Sequence, residues 1–229
     1  MQELSAFLSN MDWSGLADLL LRVAAVLLCI ILHEVSHGLA AYWLGDPTAK
    51  AQHRLSLNPL RHIDPFGALM MLLVGFGWAK PVPVDPRHFK HPKSGMALMA
   101  LAGPISNFIL AYLVLVIAYA VLGAAVAAGA AWSALIQGVI DFCTLTASLS
   151  IGLGVFNLIP FPPLDGSKVL GIFLPDRIYN QVLRYEFAGT FILMALLWLG
   201  VLDTPLYAVR GWVTNGLLFL AQWPYALLT

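Results

Sequence analysis

Apolar residues run along this chain in long blocks, and polar residues collect in the stretches between them. A helix needs about 20 mostly apolar residues to cross a hydrocarbon layer. Four blocks reach or approach that length, about 16–44, 96–122, 132–158 and 187–202, the last being short. A fifth, about 206–228, is interrupted by Arg210, Asn215 and Gln222 and is expected either to span or to lie along the interface. Met1 to Trp13 reads as an amphipathic lead-in. The stretch Phe66 to Trp78 is apolar but too short to cross, and glycines at 67, 75 and 77 oppose a regular helix. Two structures suit it: a hairpin that re-enters the membrane and lines a cleft, or an ordinary loop packed on the bundle. The first is tolerated only where protein or a water-filled cavity surrounds the backbone.

This pattern predicts an all-α membrane protein, a polytopic helical bundle with a short re-entrant hairpin. One domain is expected over residues 1–229, its core at about 16–170 and accessory helices at about 187–228. No internal repeat, low-complexity tract or appended soluble domain is expected. The first block is expected to be retained, because it is too long for a cleaved signal peptide and lacks a basic start.

Composition supports the membrane reading and adds direction. The chain is 60% hydrophobic and 10% charged, against about 25% charged in globular proteins. Its formal net charge is zero, which offers nothing to a nucleic acid. Lys50, Arg54, Arg61, Lys80, Arg87, Lys90 and Lys93 lie between the first two blocks, and Lys168, Arg177 and Arg184 follow the third. The link from Gly123 to Ala131 carries no charge. By the positive-inside rule the basic loops are cytoplasmic and the N-terminus is outside.

The unusual feature of the first block is His33-Glu34-Val35-Ser36-His37. An ionisable group near the centre of a spanning helix costs about 2.5–3.5 kcal/mol on insertion scales, so three within five residues call for a compensating partner. Residues four apart lie about 40° apart around a helix and roughly 6 Å along it. His33 and His37 can thus face one divalent ion. Glu34 is turned about 100° away, placed to take a proton from a water held at that ion. The alternative is two histidines that hydrogen-bond within the bundle. Cys29, one turn earlier on the same face, is either a further ligand or a small buried apolar residue.

A catalytic zinc takes three protein ligands and keeps one open position. Trp43 stands where one class of zinc enzyme carries a third histidine, and Glu186, the only later glutamate, is far along the chain. Asp165 is the better candidate. It follows Asn157-Leu158-Ile159-Pro160-Phe161-Pro162-Pro163-Leu164, where prolines break the third block at the depth of the histidines. Asn107 and Asn157 are membrane-depth amides that either supply hydrogen bonds to substrate and oxyanion or bond between helices. Asp141, with Thr144 and Ser148, marks either a polar path or the outer interface. His53, His62, His88 and His91 are expected to face solvent, with His62 near Asp64 as a candidate gate of the cleft.

In these elements the chain resembles the site-2 protease family of intramembrane zinc metalloproteases. They are His33-Glu34-x-x-His37, Ala102-Gly103-Pro104-x-x-Asn107, Asn157-x-x-Pro160-x-x-x-x-Asp165-Gly166, and Gly77-Trp78-Ala79-Lys80-Pro81-Val82-Pro83-Val84, the last as in its compact bacterial branch without PDZ or CBS domains. The resemblance implies that His33, His37 and Asp165 bind one zinc ion and that Glu34 activates water. It also implies a three-helix catalytic core that cuts membrane-spanning protein substrates. With the basic loops inside, His33 and His37 lie in the inner half of the first helix, so the active site is expected to open toward the cytoplasm of a bacterial cell membrane. The main rival is a metal transporter or channel, which would place metal-binding positions along a path, often with inverted repeats. Here the candidates converge on one depth. An idle scaffold is the other rival, and the intact Glu34 opposes it.

Overall fold

A computed structural model gives the fold and describes residues 13–64, 66–67 and 80–229. The lead-in before Trp13 and the expected hairpin beyond Gly67 lie outside the described residues. Three long helices dominate: α1 (Trp13–Trp43), α3 (Pro92–Ala127) and α4 (Ala134–Asn157). A short α2 (Thr48–Ala51) follows α1. After α4 come α5 (Asp165–Leu170), α6 (Asp176–Arg184), α7 (Glu186–Trp198), α8 (Asp203–Ala221) and α9 (Trp223–Leu228). Among the described residues there is no β-strand, and α1, α3 and α4 are each long and apolar enough to cross a membrane.

Both faces of these helices are apolar, and residue size separates them. On α3, Ile105, Ile109, Leu113 and Ile117 recur every four residues and each is about half exposed. The opposite stripe of Gly103, Asn107, Ala111, Leu115 and Ala118 is buried. The outer face thus carries branched side chains, while Gly103, Ala111 and Ala118 on the inner face let the helix backbones approach closely, the pattern of membrane helix packing. Cys29, Ala111, Ala118, Cys143, Ala147 and Ile151 form the shared core of α1, α3 and α4. Contacts step along α1 through 29, 33 and 37 as they step back along α3 through 107, 103 and 99, so the two helices are antiparallel.

The fourth apolar block is not a span by itself. Its helix, α7, stops at Trp198 after 13 residues, about 20 Å, short of a ~30 Å hydrocarbon layer. The chain turns at Gly200, whose φ of +69° is the left-handed conformation that glycine tolerates. It then enters α8 and α9, which are bent by 86° from α7, so the C-terminal helices count together as one broken span or a re-entrant element.

The polar loops between α1 and α3 are tightly held. Asp46 is fully buried. Its Oδ1 accepts from the Thr48 N–H (2.9 Å) and hydroxyl, and its Oδ2 accepts from the Asp85 N–H (2.7 Å). Burial alone would raise this carboxyl, but those donors and the nearby His88 hold it below the ordinary aspartate range. His62 corrects an expectation. It is only 2% exposed, because its Nε2 donates to the Ser56 carbonyl at 2.7 Å and folds the ring into the loop. His53 is exposed, as expected, and takes a positive φ of 54°.

Candidate metal centre

The site assembles where α1, α3 and the start of α5 meet. Helix periodicity puts His33 and His37 on the face of α1 that packs on α3. The proline run at 160, 162 and 163 ends α4, since proline supplies no N–H for a helix ladder and disfavours helical geometry before it. The chain restarts as α5 with Asp165 in its first turn. Gly166 makes that return possible. A Cβ there would come within 2.5 Å of the Ile159 carbonyl oxygen.

His33, His37 and Asp165 are 5%, 7% and 7% exposed. His37 Nε2 lies 3.0 Å from His33 Nε2. Asp165 Oδ2 lies 3.2 Å from His33 Nε2 and 3.1 Å from His37 Nε2. Four-coordinate zinc with bonds of 2.0–2.1 Å separates its ligand atoms by about 3.3 Å, so these three atoms nearly form one face of such a tetrahedron.

Hydrogen bonds on the far side of each ring say what this triangle contains. His37 Nδ1 stands 2.8 Å from the Met99 carbonyl oxygen, an acceptor only, so Nδ1 carries the proton. His33 Nδ1 stands 2.6 Å from Asn107 Oδ1. The orientation of that amide is set by its other end, where Nδ2 donates to the Cys29 carbonyl (3.4 Å) and to Ser150 Oγ (3.0 Å). The Ser150 hydroxyl in turn donates to the Asn107 carbonyl at 2.9 Å. His33 Nδ1 is therefore a donor as well. In the neutral, metal-binding form of each ring Nε2 is then the lone pair, and the two Nε2 atoms face each other and a carboxylate oxygen. Three converging acceptors repel unless a cation lies between them. Asp165 Oδ2 is accordingly a buried oxygen with no hydrogen-bond donor.

Other residues complete the surroundings. Gly103 lies under the two rings, and a Cβ there would meet His37 Nε2 at 2.5 Å and His33 Cε1 at 2.6 Å. Lys168 places Nζ 3.6 Å from Asp165 Oδ1, the oxygen turned away from the histidines. Glu34 accepts at Oε2 from the Val82 N–H at 3.0 Å. His33, Glu34, His37, Asp165, Lys168 and Asn157 share a cavity of about 340 Å³.

The two candidate amides separate. Asn157 lines the cavity, with its Nδ2 donating to the Leu153 carbonyl at 3.0 Å. Asn107 is fully buried between helices and its donors are engaged there. Cys29 lies in the helix core with its thiol against the Thr146 carbonyl, outside the metal-ligating group. Asp141 is exposed and bonded to Gln137 at 2.6 Å. Among the described residues, His33, His37 and Asp165 form the only group of three such side chains placed to hold a metal. Sequence reasoning passed over Lys168, although three residues after Asp165 on a helix is a facing position. It also passed over the Val82 amide, for which no local signal exists.

Comparison with known proteins agrees with this chemistry. The model of peptidase family M50 matches residues 22–200. YwhC of Bacillus subtilis, named as a zinc metalloprotease, is 37% identical over 179 residues, covering 76% of this chain and 78% of that protein. Rip2 of Mycolicibacterium smegmatis, named likewise, is 27% identical over 198 residues, covering 84% and 72%. Rip2 of Mycobacterium tuberculosis strain H37Rv is 30% identical over 183 residues, covering 76% and 66%. No solved structure matches the chain.

Proposed function

The chain belongs to peptidase family M50, a site-2-type zinc metalloprotease of many-helix membrane build, and we propose that His33, His37 and Asp165 hold its zinc while Glu34 is its general base. The observation that carries this reading is the meeting of two imidazole Nε2 atoms and one buried carboxylate oxygen within 3.0–3.2 Å of one another, with each ring's Nδ1 engaged by an acceptor on its far side. Zinc, when bound, supplies a Lewis acid for the scissile carbonyl and makes water acidic near neutrality.

The chain's own residues do the rest. Asn107 and the Met99 carbonyl fix each ring in the tautomer that presents Nε2. Glu34, held at Oε2 by Val82, has Oε1 available to take a proton from the attacking water and return it to the leaving amine. Lys168 draws Asp165 Oδ1 away from the centre and leaves Oδ2 toward the histidines. Asn157, on the cavity wall, is the amide within reach of a substrate carbonyl.

The family acts on membrane-protein substrates in the bilayer, and the bonds cut here are those in or near their spanning segments. All the basic loop residues lie at the end of the bundle that carries the site, which supports an N-terminus outside and an active site toward the cytoplasm of a bacterial cell membrane. The described residues read as one protease domain, with a core of α1, α3 and α4 and accessory helices α7 to α9. Nothing supports a transporter, since no second metal-ligating group lies along a path among the described residues.

The test is Glu34→Gln, read by cleavage of fluorescein-labelled casein in detergent and by zinc content. This reading expects activity to vanish with zinc retained. Cleavage at the parent rate would refute the role of Glu34, and loss of zinc would make it a ligand instead.

A further inference from the structure

The segment Lys80-Pro81-Val82-Pro83-Val84-Asp85 crosses the mouth of the site. Prolines at 81 and 83 leave Val82 as the sole N–H donor of that tripeptide, and this N–H is spent on Glu34. A peptide unit is planar and trans, so its C=O and N–H point in opposite directions. The unit that carries the Val82 N–H carries the Pro81 carbonyl at its other end. That carbonyl accepts from Arg54 Nη2 at 3.0 Å, and the preceding one, of Lys80, accepts from the same nitrogen at 2.7 Å. Arg54 is 7% exposed and has no carboxylate partner among the described residues. Its other terminal nitrogen is held by the Arg61 carbonyl.

We propose that Arg54 is a positioning residue for Glu34, acting through the Pro81–Val82 peptide. A guanidinium sits at the carbonyl end of one rigid plane and a carboxylate at its N–H end. The cation polarises the peptide and so strengthens the N–H as a donor to Glu34. It also fixes the plane, because Arg61 anchors the guanidinium from the opposite side. Two further bonds set the segment's height over the site. The Lys80 N–H donates to the His62 carbonyl at 2.8 Å, and the Asp85 N–H donates to the buried Asp46 at 2.7 Å. A purely structural Arg54 would serve the loop alone. This one lies two hydrogen bonds from the carboxylate that must hold its direction while a proton moves.

The inference rests on Glu34 being the base, and the experiment separates the two. Turnover at saturating labelled casein, KM and zinc content are measured for Arg54→Lys, Arg54→Met, Val82→Pro and the double variant Arg54→Met with Val82→Pro. Val82→Pro deletes the N–H and changes no charge. Removing the outer support of a site residue costs roughly 10–100-fold in activity. Val82→Pro and Arg54→Met should each lose that much turnover, with zinc and KM near the parent values. Arg54→Lys, whose single head reaches one carbonyl, should fall between. The double variant should be no slower than the slower single one, because both act on one bond. Multiplied losses in the double variant, or parent turnover in Val82→Pro, would overturn the inference. Glu34→Gln run alongside keeps the base reading distinct: inactive with zinc bound, it leaves only the Arg54 claim at stake in the other variants.

Discussion

Gly103→Ala is the smallest change that should disable the metal centre. The added carbon would lie 2.5 Å from His37 Cε1 and Nε2 and 2.6 Å from His33 Cε1. Non-bonded heavy atoms settle at about 3.5–4.0 Å, so the rings must recede by about 1 Å. They are held against doing so. His37 hangs from the Met99 carbonyl and His33 from Asn107, which lie one helical turn on either side of Gly103 on the same face of α3. Withdrawing α3 as a whole would stretch both bonds. Functional constellations tolerate errors of roughly 0.5 Å. Zinc affinity should therefore fall by about 10–100-fold, equivalent to about 1.4–2.8 kcal/mol. Helix propensity acts the other way, since alanine is favoured over glycine by about 0.8–1.0 kcal/mol, so the variant should stay folded. The assay is competition for zinc against a calibrated chelator in detergent, with helicity followed by circular dichroism. Parent affinity in a helical Gly103→Ala would refute the packing argument.

Three further outcomes follow from the same contacts. Asn107→Leu leaves the His33 Nδ1–H without its acceptor and should weaken zinc binding by roughly 10-fold, measured by the same competition, with a greater loss of thermal stability than Gly103→Ala because Ser150 and the Cys29 carbonyl also lose a partner. Lys168→Met should lower zinc retention during dialysis by several-fold while leaving the helix bundle's melting temperature close to the parent, as its ammonium's one ion pair among the described residues is with Asp165 Oδ1. Asp46 is held below the ordinary aspartate range. Its contribution to stability is thus complete above pH ~4, the unfolded-chain value, and is lost as pH falls through the lower folded value. Melting temperatures of the parent and Asp46→Asn should differ most near neutrality and converge in acid, and a gap that widened in acid would reverse the sign of this account.

What the sequence made legible was local. His33 and His37 share a face because one helix spaces them, and the prolines before Asp165 announce a break at a given depth. The links that turn those residues into a site depend on which residue of one helix lies opposite which residue of another. The bond from Asn107 to His33 needs the register of α3 on α1, and the bond from Val82 to Glu34 joins residues 48 apart in the chain. No period or composition encodes either one. His62 shows the converse error. A polar loop reads as solvated, yet the ring of His62 is buried with its Nε2 donating to the Ser56 carbonyl. The end of α7 at Trp198 was likewise hidden, since the apolar block runs on through Leu199 and Val201 while the backbone turns at Gly200.

The claim on which all of this depends is that one metal ion joins the two histidines and the aspartate. Zinc per chain in detergent-purified protein, measured by elemental analysis beside His37→Ala, tests it most directly. About one zinc in the parent and almost none in the variant is the expected result. Equal zinc in both, or none in either when the metal is supplied, would contradict it.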